Sequence, residues 1–377
     1  MENNGITRQE KNGLGRGEET PSFFSRVNIR IGGGFVAEDR MAFARNLSAM
    51  IKAGLPLSRA LGVLLRQSRK PSVQKVMEAL KAAIIRGETF HAALAAFPHV
   101  FSPLFVAIVK AGEESGGLYG SLQTIGVHLE KSYELEKRIH TALVYPAIIV
   151  IAMIAVAAIM LFYVVPVLST TFNELGVELP LSTRVVIETS DFIRTSSSLV
   201  LFLFAAALLL FAGAAKTKNG MRVYDWSVLH TPLIAGIVRE VNTARTARTL
   251  SSLLSAGLPM TEGLSVAKEV VQNAYYKEVL VEAETSVTKG DVLSEIFGRH
   301  ETLYPPLFSE MVAVGEETGK LSDLLLETAL FYESEVDRAT RDMSSVIEPF
   351  LMVVIGIAVG FFALAMITPM YTIVGSI

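Results

Sequence analysis

One stretch of this chain is written twice. Ala44-Arg45-Asn46-Leu47-Ser48, followed by Ala53-Gly54-Leu55-Pro56, returns as Ala247-Arg248-Thr249-Leu250-Ser251, followed by Ala256-Gly257-Leu258-Pro259, at an offset of 203 residues. Without a gap the same offset sets Gly87 on Gly290 and Pro103-Leu104-Phe105 on Pro306-Leu307-Phe308. It also sets Gly112-Glu113-Glu114-Ser115-Gly116 on Gly315-Glu316-Glu317-Thr318-Gly319, Pro146 on Pro349 and Pro166 on Pro369. Shared helical composition does not produce this, because Gly and Pro punctuate helices and their spacing fixes element lengths. The chain is a duplication, so each copy must reach the same fold.

The pattern inside a copy is helical. From Glu38 onward Met41, Leu47, Met50 and Ile51 recur at three- and four-residue intervals, the spacing of one helix face. Gly54 and Gly257 suit left-handed helix ends, and Pro56 and Pro259 suit the start of the next helix. Ala-Gly-Leu-Pro is therefore a joint between helices. Further helices are expected at about 57–68, 71–86, 88–97, 102–111 and from 118 onward, six per copy, and short connections favour antiparallel bundles.

Half of the residues are hydrophobic, only 19% are charged, and the mean hydropathy is +0.43. That balance points to a membrane protein. A net charge of -3 supplies no basic field, so no nucleic-acid partner is expected. The absence of cysteine excludes disulfides and thiolate chemistry. Residues 1–34 hold no apolar run of the signal-peptide kind. Residues 1–37 read as a disordered leader.

Three uncharged apolar runs are near or above the length that crosses a bilayer as a helix, and they divide the chain. The expected order is the leader 1–37, a first helical bundle 38–140, a transmembrane helix 143–168, an external loop 169–198, a second transmembrane helix 199–215, a second bundle 216–343, a third transmembrane helix 346–371 and a short external tail 372–377. Both copies run bundle first, then span, so a return crossing is needed between them if both bundles share a side. Lys131, Lys137, Arg138, Lys216, Lys218, Arg222, Arg338 and Arg341 flank the spans on the bundle side, whereas the 169–198 loop carries Arg184 and Arg194 against four acidic residues. The positive-inside rule places both bundles in the cytoplasm.

Paired bundles bearing Ala-Gly-Leu-Pro and Gly-Glu-Glu-Ser/Thr-Gly, each feeding a span that opens with Val144-Tyr145-Pro146 or Ile347-Glu348-Pro349, resemble the PilC/GspF family, the inner-membrane platform of type IV pilus and type II secretion machines. The resemblance covers about residues 40–373; the leader departs from the N-terminal segment expected of many members. It implies a scaffold in the inner membrane, without catalysis or cofactor. Its implied partners are a hexameric assembly ATPase, pilins or pseudopilins, other inner-membrane assembly proteins, the lipid bilayer and a second copy of itself in a homo-oligomer.

Gly315-Glu316-Glu317-Thr318-Gly319-Lys320 approaches a phosphate-binding loop but has three residues between its glycines instead of four, and Leu321 where Ser or Thr is needed. The carboxylates Glu113, Glu114, Glu316 and Glu317 admit two readings. With Gly112 or Gly315 ending the preceding helix, they stabilise the positive end of the next one, with Arg45 and Arg248 as partners; or they form acidic tips that dock a basic partner or hold a divalent cation. Gly116 and Gly319 close the motif. The six histidines show no metal-ligand spacing, and no metal site is expected. Pro146 and Pro349 stand at membrane entry, where each bends a continuous helix or begins a new one. Gly356 and Gly360 permit close packing of the third span. The all-α reading competes with a duplicated transporter, which would place ionisable groups at mid-bilayer; these runs have none.

Overall fold

The computed structural model describes residues 35–174, 180–214, 217–232 and 234–375. Among them every regular element is helical. The first copy folds as α1 (Ala37–Lys52), α2 (Leu57–Gln67), α3 (Pro71–Ile85), α4 (Phe90–Ala95), α5 (Pro103–Glu114) and α6 (Leu118–Ile159). A π turn over Met160–Val164 leads to α7 (Val165–Glu174), α8 (Leu181–Thr195), α9 (Ser197–Ala214) and α10 (Lys218–His230). The second copy is α11 (Ala235–Ser255), α12 (Met260–Val270), α13 (Ala274–Lys289), α14 (Leu293–Arg299), α15 (Pro306–Thr318) and α16 (Leu321–Gly375). From α12 to α16 each helix starts 203 residues after its counterpart.

Glycine and proline impose this register. Gly54 sits at φ 82° and Gly257 at φ 90°, and in both joints the next two amides close back on the helix end. Gly54 N–H donates to Ile51 O and Leu55 N–H to Met50 O; Gly257 N–H donates to Leu254 O and Leu258 N–H to Leu253 O. This is the left-handed cap that pairs orphan carbonyls. Pro71, Pro103 and Pro306 each open a helix, where the missing amide costs nothing.

Each copy builds a core largely from its own residues. Leu47, Leu61 and Phe105 in the first match Leu250, Leu264 and Phe308 in the second, all nearly or fully buried. One pair shows how the cores diverged. Phe43 packs on Phe101 with ring centroids 5.4 Å apart, and their counterparts Thr246 and Tyr304 hydrogen-bond at 3.2 Å instead. An apolar contact has been exchanged for a satisfied polar one, as a buried hydroxyl requires.

The two long helices leave their bundles as rods. α6 has 42 residues and α16 has 55, roughly 60 and 80 Å at the helical rise. Pro146 lies inside α6 and Pro349 inside α16, so neither begins a new helix. Two helical runs, Leu118–Phe172 and Leu321–Thr368, are long and apolar enough to cross a membrane. Their outer halves expose Ile148, Ile151, Ile154, Phe350, Val353 and Ile357, a surface suited to lipid.

Three expectations change. Residues 1–34 lie outside the described chain, but Phe35 already packs edge-on against Phe101 and α1 starts at Ala37, so the leader does not reach residue 37. The segment 169–198, expected as a loop, carries α7 and α8; α8 buries Thr183, Val186, Ile187 and Ser190, and Thr183 donates to the Ala365 carbonyl of α16. The tail expected from 372 continues α16 to Gly375. Gly356 and Gly360 stand in open space: a Cβ added at either would meet nothing within 4 Å among the described residues.

Candidate functional site

The four carboxylates divide into two roles. Glu113 at the end of α5 reaches back to the start of α4, where its oxygens accept from Phe90 N–H at 2.6 Å and His91 N–H at 3.0 Å. Glu316 does the same for α14, accepting from Leu293 N–H at 2.7 Å and Ser294 N–H at 3.1 Å. Neither α4 nor α14 has a cap from its own N-cap side chain. The acid supplies it from a distance of 23 residues in sequence, satisfying two orphan amides at the positive helix end. Partial burial works against ionisation of Glu113, yet the two amides and the His91 ring, 2.7 Å away, hold its carboxyl below the usual range.

The capped helix is therefore α4 or α14, and not the next helix in sequence. Gly112 and Gly315 are likewise not helix ends. Both lie within their helices, and an added Cβ would fall 2.2 Å from Ser121 Oγ at Gly112 and 2.8 Å from the Leu321 Cα at Gly315. They are the points where α5 touches α6 and α15 touches α16. Gly116 at φ 71° and Gly319 at φ 69° supply the left-handed turn instead. Glu114 and Glu317 remain exposed at the tips. Among the described residues no three His, Asp or Glu side chains are grouped to hold a metal ion.

Arg248 is not a partner of these tips either. It is buried and grips Glu333 of α16 through Nε and Nη2, the two-pronged pairing that suits a guanidinium and a carboxylate. Its counterpart Arg45 is exposed.

A second set of polar residues joins the two copies. Lys110 of α5 contacts Glu262 of α12 at 3.2 Å, Arg245 of α11 contacts Glu136 of α6 at 3.5 Å, and Arg138 of α6 pairs with Asp337 of α16. Between them His128 is buried, its Nδ1 3.1 Å from Ser252 Oγ. Ser252 donates to the Arg248 carbonyl, so His128 is the donor to Ser252 and carries its proton on Nδ1. Burial, reinforced by Arg248 and Arg245, pulls the ring down to about 4. It is neutral at pH 7. Leu253 and Leu258 of the second copy enter the first core, so the seam is apolar as well as charged.

Sequence reading missed this seam, although the repeat contained its signal. At the 203-residue offset Lys110, His128 and Glu136 correspond to Ala313, Phe331 and Ala339, and Arg245 and Glu262 to Ala42 and Arg59. At these positions the copies differ in chemistry where they touch each other, whereas Arg138 and Asp337 match Arg341 and Glu134 and keep their charges across the repeat.

The family model for type II secretion system (T2SS) protein F matches residues 43–166 and again 246–369. The chain belongs to the type II secretion system protein F family. The two matches repeat the 203-residue offset and end beyond Pro146 and Pro349, so each takes in bundle and span. A type IV pilus assembly protein PilC of Thermus thermophilus is 35% identical over 340 residues, 90% of this chain and 84% of the relative. PilC of Myxococcus xanthus is 31% identical, covering 92% of this chain and 82% of its own. A type II secretion system protein F of Pseudomonas aeruginosa is 31% identical, covering 90% and 84%.

Proposed function

We propose that this chain is the inner-membrane platform of a type IV pilus or type II secretion assembly machine, a scaffold without catalysis of its own. Membership of the family over both copies carries the reading, together with relatives named for pilus assembly and for type II secretion. Two bundles mounted on long helices suit a part that receives movement on one side of a membrane and passes it to subunits within the bilayer. In this reading α9, 18 residues with no charge, is the third span and returns the chain so that both bundles are cytoplasmic. A hexameric ATPase meets the bundles; pilins or pseudopilins, other inner-membrane assembly proteins and a second copy of the chain meet the spans. Pro146 and Pro349 bend the rods where they enter the bilayer, since each removes a backbone hydrogen bond from a continuous helix.

Glu114 and Glu317 are the docking carboxylates in this proposal, because Glu113 and Glu316 are engaged by backbone amides. The test is co-purification of a tagged chain from detergent-solubilised membranes of piliated or secreting cells. The ATPase and pilins are expected with the wild-type chain, less of them as ionic strength rises. Glu114→Lys with Glu317→Lys should insert normally and lose the ATPase. A wild-type chain that purifies without ATPase or pilin from active cells would overturn the platform reading; a double variant that keeps the ATPase would remove only these carboxylates.

A further inference from the structure

α10 follows the apolar helix α9 after three residues and has an unusual surface for a helix packed on a bundle. Met221, Val223, Tyr224 and Trp226 are exposed, Val223 by 65% and Trp226 by 51%. Its single carboxylate, Asp225, is buried and accepts from Ala274 N–H at the start of α13 at 2.8 Å. No acidic side chain of α10 itself is exposed on this outer face; in sequence Lys216 lies just before the helix and Lys218 opens it, and Arg222 pairs with Glu278 of α13 at 2.9 Å.

The position of α10 in the fold is fixed by α11. Ser251 bonds to Ser322, Arg248 to Glu333, and Glu240 lies close enough to Glu335 for the two charges to interact. As α11 is followed backward, α16 is followed forward; the helices are antiparallel. The start of α11, and α10 just before it, therefore lie toward the end of α16 that enters its apolar run after Glu348. α10 is at the foot of the spans.

We propose that α10 is an interfacial helix that rests on the bilayer surface and binds anionic phospholipid headgroups. Aromatic rings with an apolar body prefer the headgroup level, and an apolar face combined with lysine and arginine is the composition of helices that lie in that plane. A negative leaflet attracts each nearby cation. The proposal rests on reading α9 as a membrane span.

Trp226 is the only tryptophan in the chain, so intrinsic fluorescence of the full-length protein in vesicles reports on this helix alone. In phosphatidylcholine containing phosphatidylglycerol, Trp226 should be shielded from iodide and quenched more by lipids labelled near the headgroup than by lipids labelled near the chain end. Omitting phosphatidylglycerol, or introducing Lys216→Glu with Lys218→Glu, should reduce the shallow quenching about twofold as electrostatic attraction is lost. Vesicle flotation after alkaline extraction tests the spans separately. A chain that stays inserted while Trp226 is open to iodide and insensitive to lipid labels overturns the interfacial helix and leaves the spans intact. Shielding from iodide without lipid quenching means that protein covers the helix, and stronger quenching by deep labels means that it is submerged; both overturn the proposal. A chain that does not remain inserted removes the spans and the proposal together.

Discussion

His128 stands where the other copy has Phe331, and it couples the two copies to pH. Its folded pKa is about 4 against 6.5 for the free side chain, so between these values the unfolded chain binds more protons and stability falls as pH falls. Arg245, Arg248, Ser132 and Glu333 line a small cavity with the ring, Ser252 accepts from it, and the two arginines oppose its protonation. Thermal melts of the detergent-solubilised chain should show the seam weakening from pH 6.5 toward 4, at most by roughly 1 kcal/mol per pH unit. His128→Phe should flatten that dependence while leaving the pH 7 melt nearly unchanged. The carboxylates give a second comparison. Glu316→Ala leaves two amides of α14 without their acceptor and should cost about 1–2 kcal/mol, whereas Glu317→Ala, on the surface, should stay within about 0.5 kcal/mol. The Glu pairs are plain in the sequence, but their division is not. It depends on α5 and α15 folding back so that one carboxylate of each pair meets an amide 23 residues earlier, a tertiary fact with no local pattern.

Helix boundaries were legible because glycine and proline write them. Gly257 is at φ 90° with open space around its missing side chain, so Gly257→Ala pays only for the left-handed backbone, about 1 kcal/mol, and Gly257→Val should cost more because a β-branched side chain fits there worst. Gly315 presents a different constraint. A methyl group there meets the Leu321 backbone at 2.8 Å, so Gly315→Ala must part α15 from α16 and should exceed Gly257→Ala in the same melts. Equal tolerance of Ala and Val at 257 would exclude the left-handed cap. The element that escaped the sequence reading is α8. Its buried face alternates hydroxyls with apolar groups, Thr183 and Ser190 with Val186 and Ile187, and donates those hydroxyls to carbonyls of other helices. Half of its inner face therefore reads as polar, and Arg184, Glu188, Asp191 and Arg194 break its apolar residues into short groups, so between two long apolar runs it reads as a charged connection.

Across the whole molecule, duplication explains both the likeness and the difference of the two halves. The same joints, cores and long helices recur at one offset, while most polar residues of the seam, Lys110, His128, Glu136, Arg245 and Glu262 among them, are not shared by the repeat. Two apolar rods anchored in two bundles demand a return path if the bundles lie on one side, and in the proposed reading α9 supplies it. The absence of cysteine from the chain makes this directly measurable with single-cysteine variants and a membrane-impermeant maleimide on spheroplasts. Glu178→Cys should label in intact spheroplasts, and Glu114→Cys and Glu317→Cys only after permeabilisation. Labelling of one bundle from outside while the other stays protected would contradict the account, because it would put the two copies on opposite faces of the membrane and leave α9 without a crossing to make.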